Sequence, residues 1–445
     1  MRGPCPDRPG AHPRSRVDRM LEDLPKQDAV AAALPPDPAP GVRRRNLKRL
    51  LAPRHVAMVG GLGNIPAIEM LRASGFRGEI WPVHPTRHEI AGLPAFRSVG
   101  DLPEGPDAAF LNVPARATVD IVRDLARRGG GGAVCYSAGF SELGDKGLST
   151  QRALVQAAQD LAVLGPNANG LLNCLDHLAL WPVQSHRPRQ MEKGVAILSS
   201  SGGVLFNYPA SQRSVPAAIM AAVGNQAQIG FPDLIDVLVD DPRIEAIGMF
   251  AESIGDPVAF SRAAARAADR GLPIVALKTG RTSGSAALAA THSGAMIAPD
   301  DMIDALFQRC GVIRVQSLPE LDETLKMLTV PLRPGGRKTV ALTISGGEKA
   351  LILDTADGLA PEFTAFPPQI RAELEDQIPE YASVSNPFDF NPYYSGENVL
   401  AMDNRPALER CFRTVFSAGY DIAMMLVSIR TDDAGGAPPP GDIYT

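Results

Sequence analysis

The chain's first regular pattern is the stretch His55-Val56-Ala57-Met58-Val59-Gly60-Gly61-Leu62-Gly63-Asn64, an apolar run that ends in a cluster of glycines. The run predicts a buried strand over His55–Val59, and a helical stretch over Ala67–Ser74 follows it before Gly75. A strand, a glycine turn and a helix in this order begin a βαβ unit. We therefore predict an α/β fold with a parallel sheet that is covered on both faces.

The same alternation of short apolar runs and helical stretches continues in three blocks. The other predicted strands are Glu79–Val83, Ala108–Val113 and Gly132–Tyr136 in the first block, Val195–Leu198, Ala217–Val223, Ile244–Phe250 and Pro273–Leu277 in the second, and Lys338–Ile344 and Asp421–Ile429 in the third. The predicted helices include Ala117–Arg127, Phe231–Val239, Pro257–Asp269 and Asp300–Arg309. This order is typical of consecutive doubly wound domains.

Loops rich in glycine and proline set the predicted domain bounds, which are 46–180, 190–330 and 337–430. Residues 1–45 contain nine prolines and eight arginines without an apolar period, and the tail 431–445 has no pattern either. We expect both ends to be disordered. The leader has no apolar segment of the kind found in a signal peptide.

Composition excludes several classes of function. The 445 residues include 44 basic and 49 acidic side chains, a net charge of -5, which argues against a nucleic-acid partner. No apolar run approaches the roughly 18 residues that a membrane helix needs. The five cysteines and seven histidines show no zinc spacing, so we predict no metal site and a reduced, cytoplasmic protein.

The glycine turn after the first strand is a candidate phosphate-binding loop. Glycines at Gly60, Gly61 and Gly63 let backbone N–H groups approach a phosphate at the start of a helix. The dinucleotide fingerprint fails, because Pro66 stands in place of its third glycine and the second strand is followed by no acidic residue for a ribose. NAD is therefore disfavoured, and a structural turn without a ligand is the alternative.

A second turn, Ser199-Ser200-Ser201-Gly202-Gly203, also lies between a strand and a helix. Its free N–H groups and hydroxyls predict an anion site. A serine hydrolase is disfavoured, since Ser199 stands where a nucleophile elbow requires glycine.

His292 lies among small residues in Thr291-His292-Ser293-Gly294, where no apolar neighbours at helical spacing would place it in a core. An accessible imidazole can carry a phosphoryl group as a covalent intermediate. A carboxylate that fixes its tautomer would assist it, and Glu252 follows a predicted strand at the edge where such a partner belongs. An exposed loop histidine without a role is the alternative.

A set of short motifs in a fixed order resembles the NDP-forming acyl-CoA synthetases, the ADP-forming acetate–CoA ligase type related to succinyl-CoA synthetase. The motifs are Trp81-Pro82-Val83-His84-Pro85, Ser137-Ala138-Gly139-Phe140, Leu164-Gly165-Pro166-Asn167, Gly224-Asn225-Gln226, Glu252-Ser253, Leu277-Lys278-Thr279-Gly280-Arg281, Thr291-His292-Ser293-Gly294, Ser345-Gly346-Gly347-Glu348 and Asn386-Pro387-Phe388-Asp389. The resemblance covers roughly residues 46–430.

The resemblance implies a Rossmann-like CoA-binding domain followed by two flavodoxin-like ligase domains. The residues expected around CoA are Gly60, Gly61, Gly63, Asn64, His84, Pro85, Asn112, Val113, Pro114, Ser137, Ala138 and Gly139. His292 matches the phosphorylated histidine, Glu252 the carboxylate that steadies it, and Ser200-Ser201-Gly202 a helix start that holds phosphate. In the family, ATP phosphorylates the histidine, the phosphoryl group passes to a carboxylic acid, and CoA displaces phosphate.

Three departures from the family pattern limit these expectations. The glycine loop is shorter than usual and lacks the family's serine, and Ala168 replaces a common cysteine. The ATP-grasp portion that binds ATP and Mg2+ does not match any part of this chain, so we expect it on a partner subunit or domain. A CoA- or acyl-CoA-binding regulatory fragment is the alternative function, and the sequence does not identify the acid.

Overall fold

The computed structural model describes residues 41–182, 190–206, 208–210, 213–285, 288, 298–331, 334–378, 383–390 and 405–426. The chain divides into two compact units, Met1–Val330 and Pro331–Thr445. Across the described residues, no helix has both the length and the apolar character needed to cross a bilayer.

The first sheet of the larger unit is built from five parallel strands of the described chain, in the order β2-β1-β5-β6-β7. The strands of this region are β1 (His55–Gly60), β2 (Glu79–Val83), the short hairpin of β3 (Glu89–Ile90) and β4 (Leu93–Pro94), β5 (Ala108–Asn112), β6 (Gly132–Cys135) and β7 (Ala162–Leu164). The helices are α1 (Val42–Leu51), α2 (Ile65–Ala73), α3 (Ala115–Arg127) and α4 (Asp145–Ala158). The predicted α/β class is confirmed.

Helix α1 begins earlier than the sequence indicated, since residues 42–45 had been assigned to the leader. Its apolar side chains Leu47, Leu50 and Leu51 are buried. Arg44 pairs with Asp236 at 2.6 Å and with Asp240 at 2.5 Å. These contacts fix the start of the helix, although the three successive arginines resemble a solvated run in the sequence.

The second sheet has seven strands among the described residues, in the order β14-β13-β12-β10-β11-β8-β9. Its strands are β8 (Leu171–Asn173), β9 (Leu178–Leu180), β10 (Gly194–Ser199), β11 (Ala217–Ala222), β12 (Ile244–Ala251), β13 (Ile274–Lys278) and β14 (Ile313–Val315). The helices are α5 (Gly202–Leu205), α6 (Phe231–Leu238), α7 (Pro257–Asp269), α8 (Asp300–Cys310) and α9 (Leu318–Thr329). The five strands from β10 to β14 run parallel, as predicted for β10 to β13, whereas β14 was not predicted.

The hairpin of β8 and β9 differs from the expected parallel architecture. Strand β8 pairs antiparallel with β11, and β9 pairs antiparallel with β8. The amide of Asn173 anchors the hairpin by donating to the Leu51 carbonyl and to Asp176, both at 2.9 Å. Residues 171–180, which the sequence placed in the first domain, therefore complete the second sheet.

The smaller unit contains a parallel sheet in the order β16-β15-β17 within its described residues. The strands are β15 (Thr339–Thr343), β16 (Phe388–Asp389) and β17 (Ile422–Met425), and the helices are α10 (Gly346–Ala356), α11 (Pro368–Glu375) and α12 (Arg405–Phe416). Phe366, Phe388 and Phe390 form the centre of its core. The predicted end of the last strand, at Ile429, lies outside the described residues.

One apolar core extends through the larger unit. It includes Met58 and Phe110 of the first sheet, Trp181 after the hairpin, and Ile197 and Ile247 of the second sheet. A separate core on the other face of the first sheet lies under α3 and α4. Continuous packing of this kind holds the two sheets of this unit in a fixed arrangement.

Asp107 is a buried carboxylate just before β5, with 2% of its surface exposed. It accepts hydrogen bonds from Arg49 Nε at 2.7 Å and Arg54 Nε at 2.8 Å, and a further one from the Arg54 backbone N–H at 3.0 Å. Burial alone would raise the pKa of Asp107, but these hydrogen bonds hold it well below its ordinary value. The carboxylate thereby ties α1 and β1 to β5.

We predict that Asp107→Asn lowers the free energy of unfolding at neutral pH by about 1–3 kcal/mol. The loss should fall at the lower end of this range, because water screens the exposed Arg54 side chain. The native pKa is lowered, so the wild-type advantage is complete above the unfolded value of about 3.9 and is lost as the pH falls through the native pKa. Urea unfolding at a series of pH values measures this. The control is Asp120→Asn, at an exposed helical ion pair; an equal loss in both variants would contradict the prediction.

Candidate active site

The glycine turn after β1 lies against the end of β5. Gly60 is in register with Asn112, and its φ of 139° is in a region that favours glycine. A Cβ on Gly60 would lie 2.5 Å from the Asn112 carbonyl oxygen. The side-chain amide of Asn112 is 3.1 Å from the Cβ position of Gly63. Small residues are therefore required here, and they bring the predicted Gly60, Gly63 and Asn112 together.

His84 lies beside the same turn. Its Nδ1 accepts hydrogen bonds from the backbone N–H groups of Thr86 at 3.3 Å and Arg87 at 3.1 Å. A neutral imidazole with Nδ1 as acceptor carries its hydrogen on Nε2. Nε2 is 3.6 Å from the Cβ position of Gly61, so a hydrogen-bond donor faces the turn. Pro85 follows His84, and its carbonyl accepts from Arg97 at 3.2 Å.

Asn64 is the last residue of the turn, and its side chain is buried. Its side chain is 0% exposed, yet neither Nδ2 nor Oδ1 has a hydrogen-bond partner among the described residues. Nδ2 lies 3.1 Å from the Cβ position of Gly60. A buried amide without partners costs free energy and requires an explanation.

The segment after β6 is bonded within the protein. The Ser137 hydroxyl donates to the Val113 carbonyl. The backbone N–H groups of Gly139 and Phe140 donate to Glu142 Oε1, at 2.5 and 3.1 Å. Ala138 lies between these contacts, and Pro114 is the N-cap residue of α3. The predicted residues thus border the same sheet edge, but the Gly139 N–H is already satisfied and is not offered to a ligand.

Glu142 also connects the first sheet to the second. Asn225, which follows β11, donates through Nδ2 to Glu142 Oε2 at 2.5 Å. The Asn225 backbone N–H donates to the Pro166 carbonyl at 2.9 Å, and that of Ala227 donates to Gly165 at 3.0 Å. Burial alone would raise the pKa of Glu142, but the hydrogen bonds from Asn225, Gly139 and Phe140 lower it. The carboxylate is therefore held charged where the two sheets meet.

The serine turn after β10 differs from its predicted form. The Ser200 N–H donates to the Phe250 carbonyl at 2.9 Å, and the Ser201 N–H donates to Ser199 Oγ at 3.0 Å. These two N–H groups are therefore not free for an anion, because the turn uses them to bond to β12 and to itself. Helix α5 has only four residues, beginning at Gly202. A short helix adds little positive potential at its start.

Asn169 is a contact of this turn that the sequence analysis missed. Its side chain occupies the space where a Cβ on Gly202 would lie. A residue from the loop after the first sheet thus lies against the turn of the second sheet. The local signal was weak, since an asparagine in a glycine-rich loop usually forms only a turn.

Glu252 lies at the carboxyl edge of the second sheet, directly after β12. Its backbone N–H donates to Ser200 Oγ at 3.2 Å, which brings these two predicted residues together. Lys278, the last residue of β13, was missed as a site residue although its motif was recognised. It is buried, and the charge of Glu252 acts on it. His292, the predicted phosphorylated residue, lies outside the described residues.

Two family models match the chain. The one described as a CoA binding domain matches residues 21–173, and the one described as a succinyl-CoA ligase like flavodoxin domain matches residues 192–328. The glycine turn lies within the first match, and the serine turn and Glu252 lie within the second. The chain therefore contains a CoA-binding domain followed by a succinyl-CoA ligase like flavodoxin domain.

Its relatives are full-length and subunit forms of such synthetases. The chain is 34% identical over 357 residues to a trans-feruloyl-CoA synthase from an unknown prokaryotic organism, covering 78% of this chain and 50% of that protein. It is 28% identical over 363 residues to the ADP-forming acetate–CoA ligase II of Archaeoglobus fulgidus, covering 78% and 52%. Against subunit alpha of the ADP-forming acetate–CoA ligase II of Pyrococcus furiosus the identity is 27% over 336 residues, covering 73% and 72%. The chain spans about half the length of the first two relatives.

The fold of this NDP-forming acyl-CoA synthetase homologue also matches a solved structure. The dinucleotide-forming acetyl-coenzyme A synthetase 1 of Candidatus Korarchaeum cryptofilum, in complex with phosphate and ADP, is similar with a TM-score of 0.71 and 25% identity. The match covers 86% of this chain and 89% of that one. The expected order of a CoA-binding domain and a flavodoxin-like domain is therefore confirmed.

We predict that Asn225→Ala lowers the free energy of unfolding of this synthetase homologue by about 1–2 kcal/mol, because it removes a hydrogen bond to a half-buried carboxylate that water partly screens. The pKa of Glu142 should rise, so the loss becomes smaller as the pH falls and Glu142 is protonated in both proteins. Denaturant unfolding measures both effects. Asn46→Ala is the control, because its exposed amide donates to a neutral carbonyl at 2.7 Å. A pH-independent loss would contradict the role given to Glu142.

Proposed function

We propose that this chain is the CoA-binding and phosphoryl-carrying part of an ADP-forming acyl-CoA synthetase. The complete enzyme would form acyl-CoA from a carboxylic acid, CoA and ATP through a phosphohistidine and an acyl phosphate. The observation that carries the proposal is the glycine turn, bordered by the His84 imidazole and the Asn112 amide, in a domain that matches a CoA-binding family. The chemistry of that turn fits a ligand with phosphate groups.

The proposed CoA site is the carboxyl edge of the first sheet. Nε2–H of His84 lies beside Gly61 and the side-chain amide of Asn112 lies beside Gly63, so two donors border the glycine turn. Donors of this kind suit the phosphate oxygens of CoA. Gly60, Gly61 and Gly63 provide room for the ligand to approach the backbone. Pro85, Val113, Pro114, Ser137, Ala138 and Gly139 border this edge.

The proposed phosphoryl relay uses the carboxyl edge of the second sheet. Transfer of the terminal phosphoryl group of ATP to His292 would release ADP. The carboxylate oxygen of the acid would then take the phosphoryl group from His292, and the CoA thiolate would displace phosphate from the resulting acyl phosphate. Glu252 is the proposed partner of the imidazole, because a carboxylate steadies its cationic form. Ser200, Ser201 and Gly202 are the proposed contacts of the phosphoryl group.

The proposed partner is an ATP-grasp subunit or domain that binds ATP and Mg2+. Two facts support it: this chain matches only about half of the longer relatives, and a similar protein is named a subunit alpha. The proposed substrate acid is small, and no residue among those described singles out one acid.

We predict that the purified chain binds CoA and does not bind NADH in calorimetric titrations. Gly60→Ala should weaken CoA binding about tenfold or more, because its Cβ would press on the Asn112 carbonyl and strain the turn. The control is Gly92→Ala, at a glycine that also has positive φ but has no atom within 4 Å of the added Cβ. Wild-type binding of NADH, or equal CoA binding by the two variants, would contradict the CoA site.

We predict that 32P-labelled acetyl phosphate labels the wild-type chain and not His292→Asn, because the reverse of the second step would transfer the phosphoryl group to the imidazole and release acetate. Scintillation counting of the isolated protein measures the label. CoA binding should be unchanged in this variant. The control is His88→Asn, at an exposed histidine near β3; equal labelling of wild type and His292→Asn would refute the assignment.

A further inference from the structure

Lys278 occupies an unusual position for a lysine. It is the last residue of β13, in register with Ala251, the last residue of β12. Its surface is 3% exposed, and the Thr279 N–H donates to the Ala251 carbonyl at 3.0 Å, which fixes the backbone at this point. Glu252 follows Ala251 on the neighbouring strand. The two residues therefore lie at the same carboxyl edge, where parallel sheets bind their ligands.

The fold provides little compensation for this buried ammonium. Its hydrogen-bond acceptor is the neutral carbonyl of Thr279, and it forms no salt bridge with any carboxylate of the described residues. Buried charges are normally paired, because removing them from water is costly. A lysine side chain has three N–H donors. The remaining N–H donors of Lys278 are therefore available to an anion.

The charged residues on the neighbouring segments already form ion pairs with one another. Asp300 accepts from Arg314 at 2.5 Å and lies 3.8 Å from Arg281. Arg314 also pairs with Asp304 at 3.2 Å. Burial lowers the pKa of Lys278, Arg314 lowers it further, and Asp300 and Glu252 oppose the shift without cancelling it. An anionic ligand beside Lys278 would stabilise its ammonium and raise its pKa.

We propose that the Lys278 ammonium binds the phosphoryl group that is transferred at the carboxyl edge of the second sheet, beside Glu252 and Ser200. This proposal rests on the proposed function, and it adds a cation to a site for which the sequence indicated only hydroxyls and backbone N–H groups. The distinction is important because the N–H groups of Ser200 and Ser201 are already bonded within the protein. Lys278 supplies the positive charge that the four-residue helix α5 lacks.

The test is a titration of the full chain with inorganic phosphate, followed by 31P NMR and by the shift in melting temperature. The variants are Lys278→Met and Lys278→Gln, with Lys193→Met as the matched control. Lys193 lies just before β10, at the opposite edge of the same sheet, where it pairs with Glu245 at 2.5 Å. A parallel titration with acetyl phosphate separates a site for free phosphate from a site for the acyl phosphate.

We expect wild type and Lys193→Met to bind phosphate equally, and both Lys278 variants to bind it about 10- to 100-fold more weakly. Lys278→Arg should bind more tightly than Lys278→Met, since it keeps the charge. Wild-type affinity should fall at alkaline pH, where phosphate is already a dianion, because the pKa of Lys278 is below the ordinary lysine value of 10.5. The Met variant should show no such fall.

A second readout separates binding from a structural role. Without phosphate, Lys278→Met should melt at or above the wild-type temperature, because it removes a poorly compensated buried charge. A lower melting temperature together with unchanged phosphate affinity would overturn the proposal, and so would a wild-type chain that binds no phosphate. If phosphate binding depends on Lys278 but His292→Asn is labelled like wild type, the anion site stands and the proposed relay falls.

Discussion

The two sheets of the larger unit depend on the hydrogen bonds between the segment after β11 and the end of β7. Backbone N–H groups of Asn225 and Ala227 donate to the loop at Gly165-Pro166, and that of Ile229 donates to Val163 at 3.2 Å. The Glu142 carboxylate covers this junction and receives the Asn225 amide. Because backbone groups buried at a junction must be paired, the spacing of the two carboxyl edges is set by the register of these bonds. The two carboxyl edges, where the proposed CoA and phosphoryl sites lie, are thereby held at a set distance from each other.

Unsatisfied polar groups lie at both edges, and each one is costly to the fold. Asn64 is buried with an unpartnered amide, and Lys278 is buried with only a carbonyl as acceptor. Asp107 is satisfied by two arginines, whereas some buried atoms away from the two edges, such as Trp181 Nε1 and Gln377 Oε1, also lack a partner among the described residues. A buried polar group without a partner therefore indicates a ligand site only where a second feature, such as a sheet edge in a matched domain, points to the same place.

Much of the fold could be predicted from the sequence because long apolar runs produce buried parallel strands. Strand β2 was placed at its observed bounds, and β1, β5 and β12 within one residue at each end. The strands β8 and β9 were not predicted, because three residues are too few to show a period. At the site, the glycines and Glu252 were recognised from motifs. The contact of Asn225 with Glu142 joins residues 83 positions apart, and the burial of Lys278 depends on its neighbours, so neither could be read from local pattern.

The antiparallel hairpin of β8 and β9 has a consequence for the order in which the chain can fold. Strand β11 has the apolar sequence Ala217-Ala218-Ile219-Met220-Ala221-Ala222 and would be an open sheet edge without its partner β8. Such an edge invites pairing with other chains. The ribosome releases residues 171–180 before any of the parallel strands β10 to β14. Strand β8 is therefore available to pair with β11 when that strand forms. A gene divided between β9 and β10 would lose this protection, and its second product would be prone to aggregate through β11.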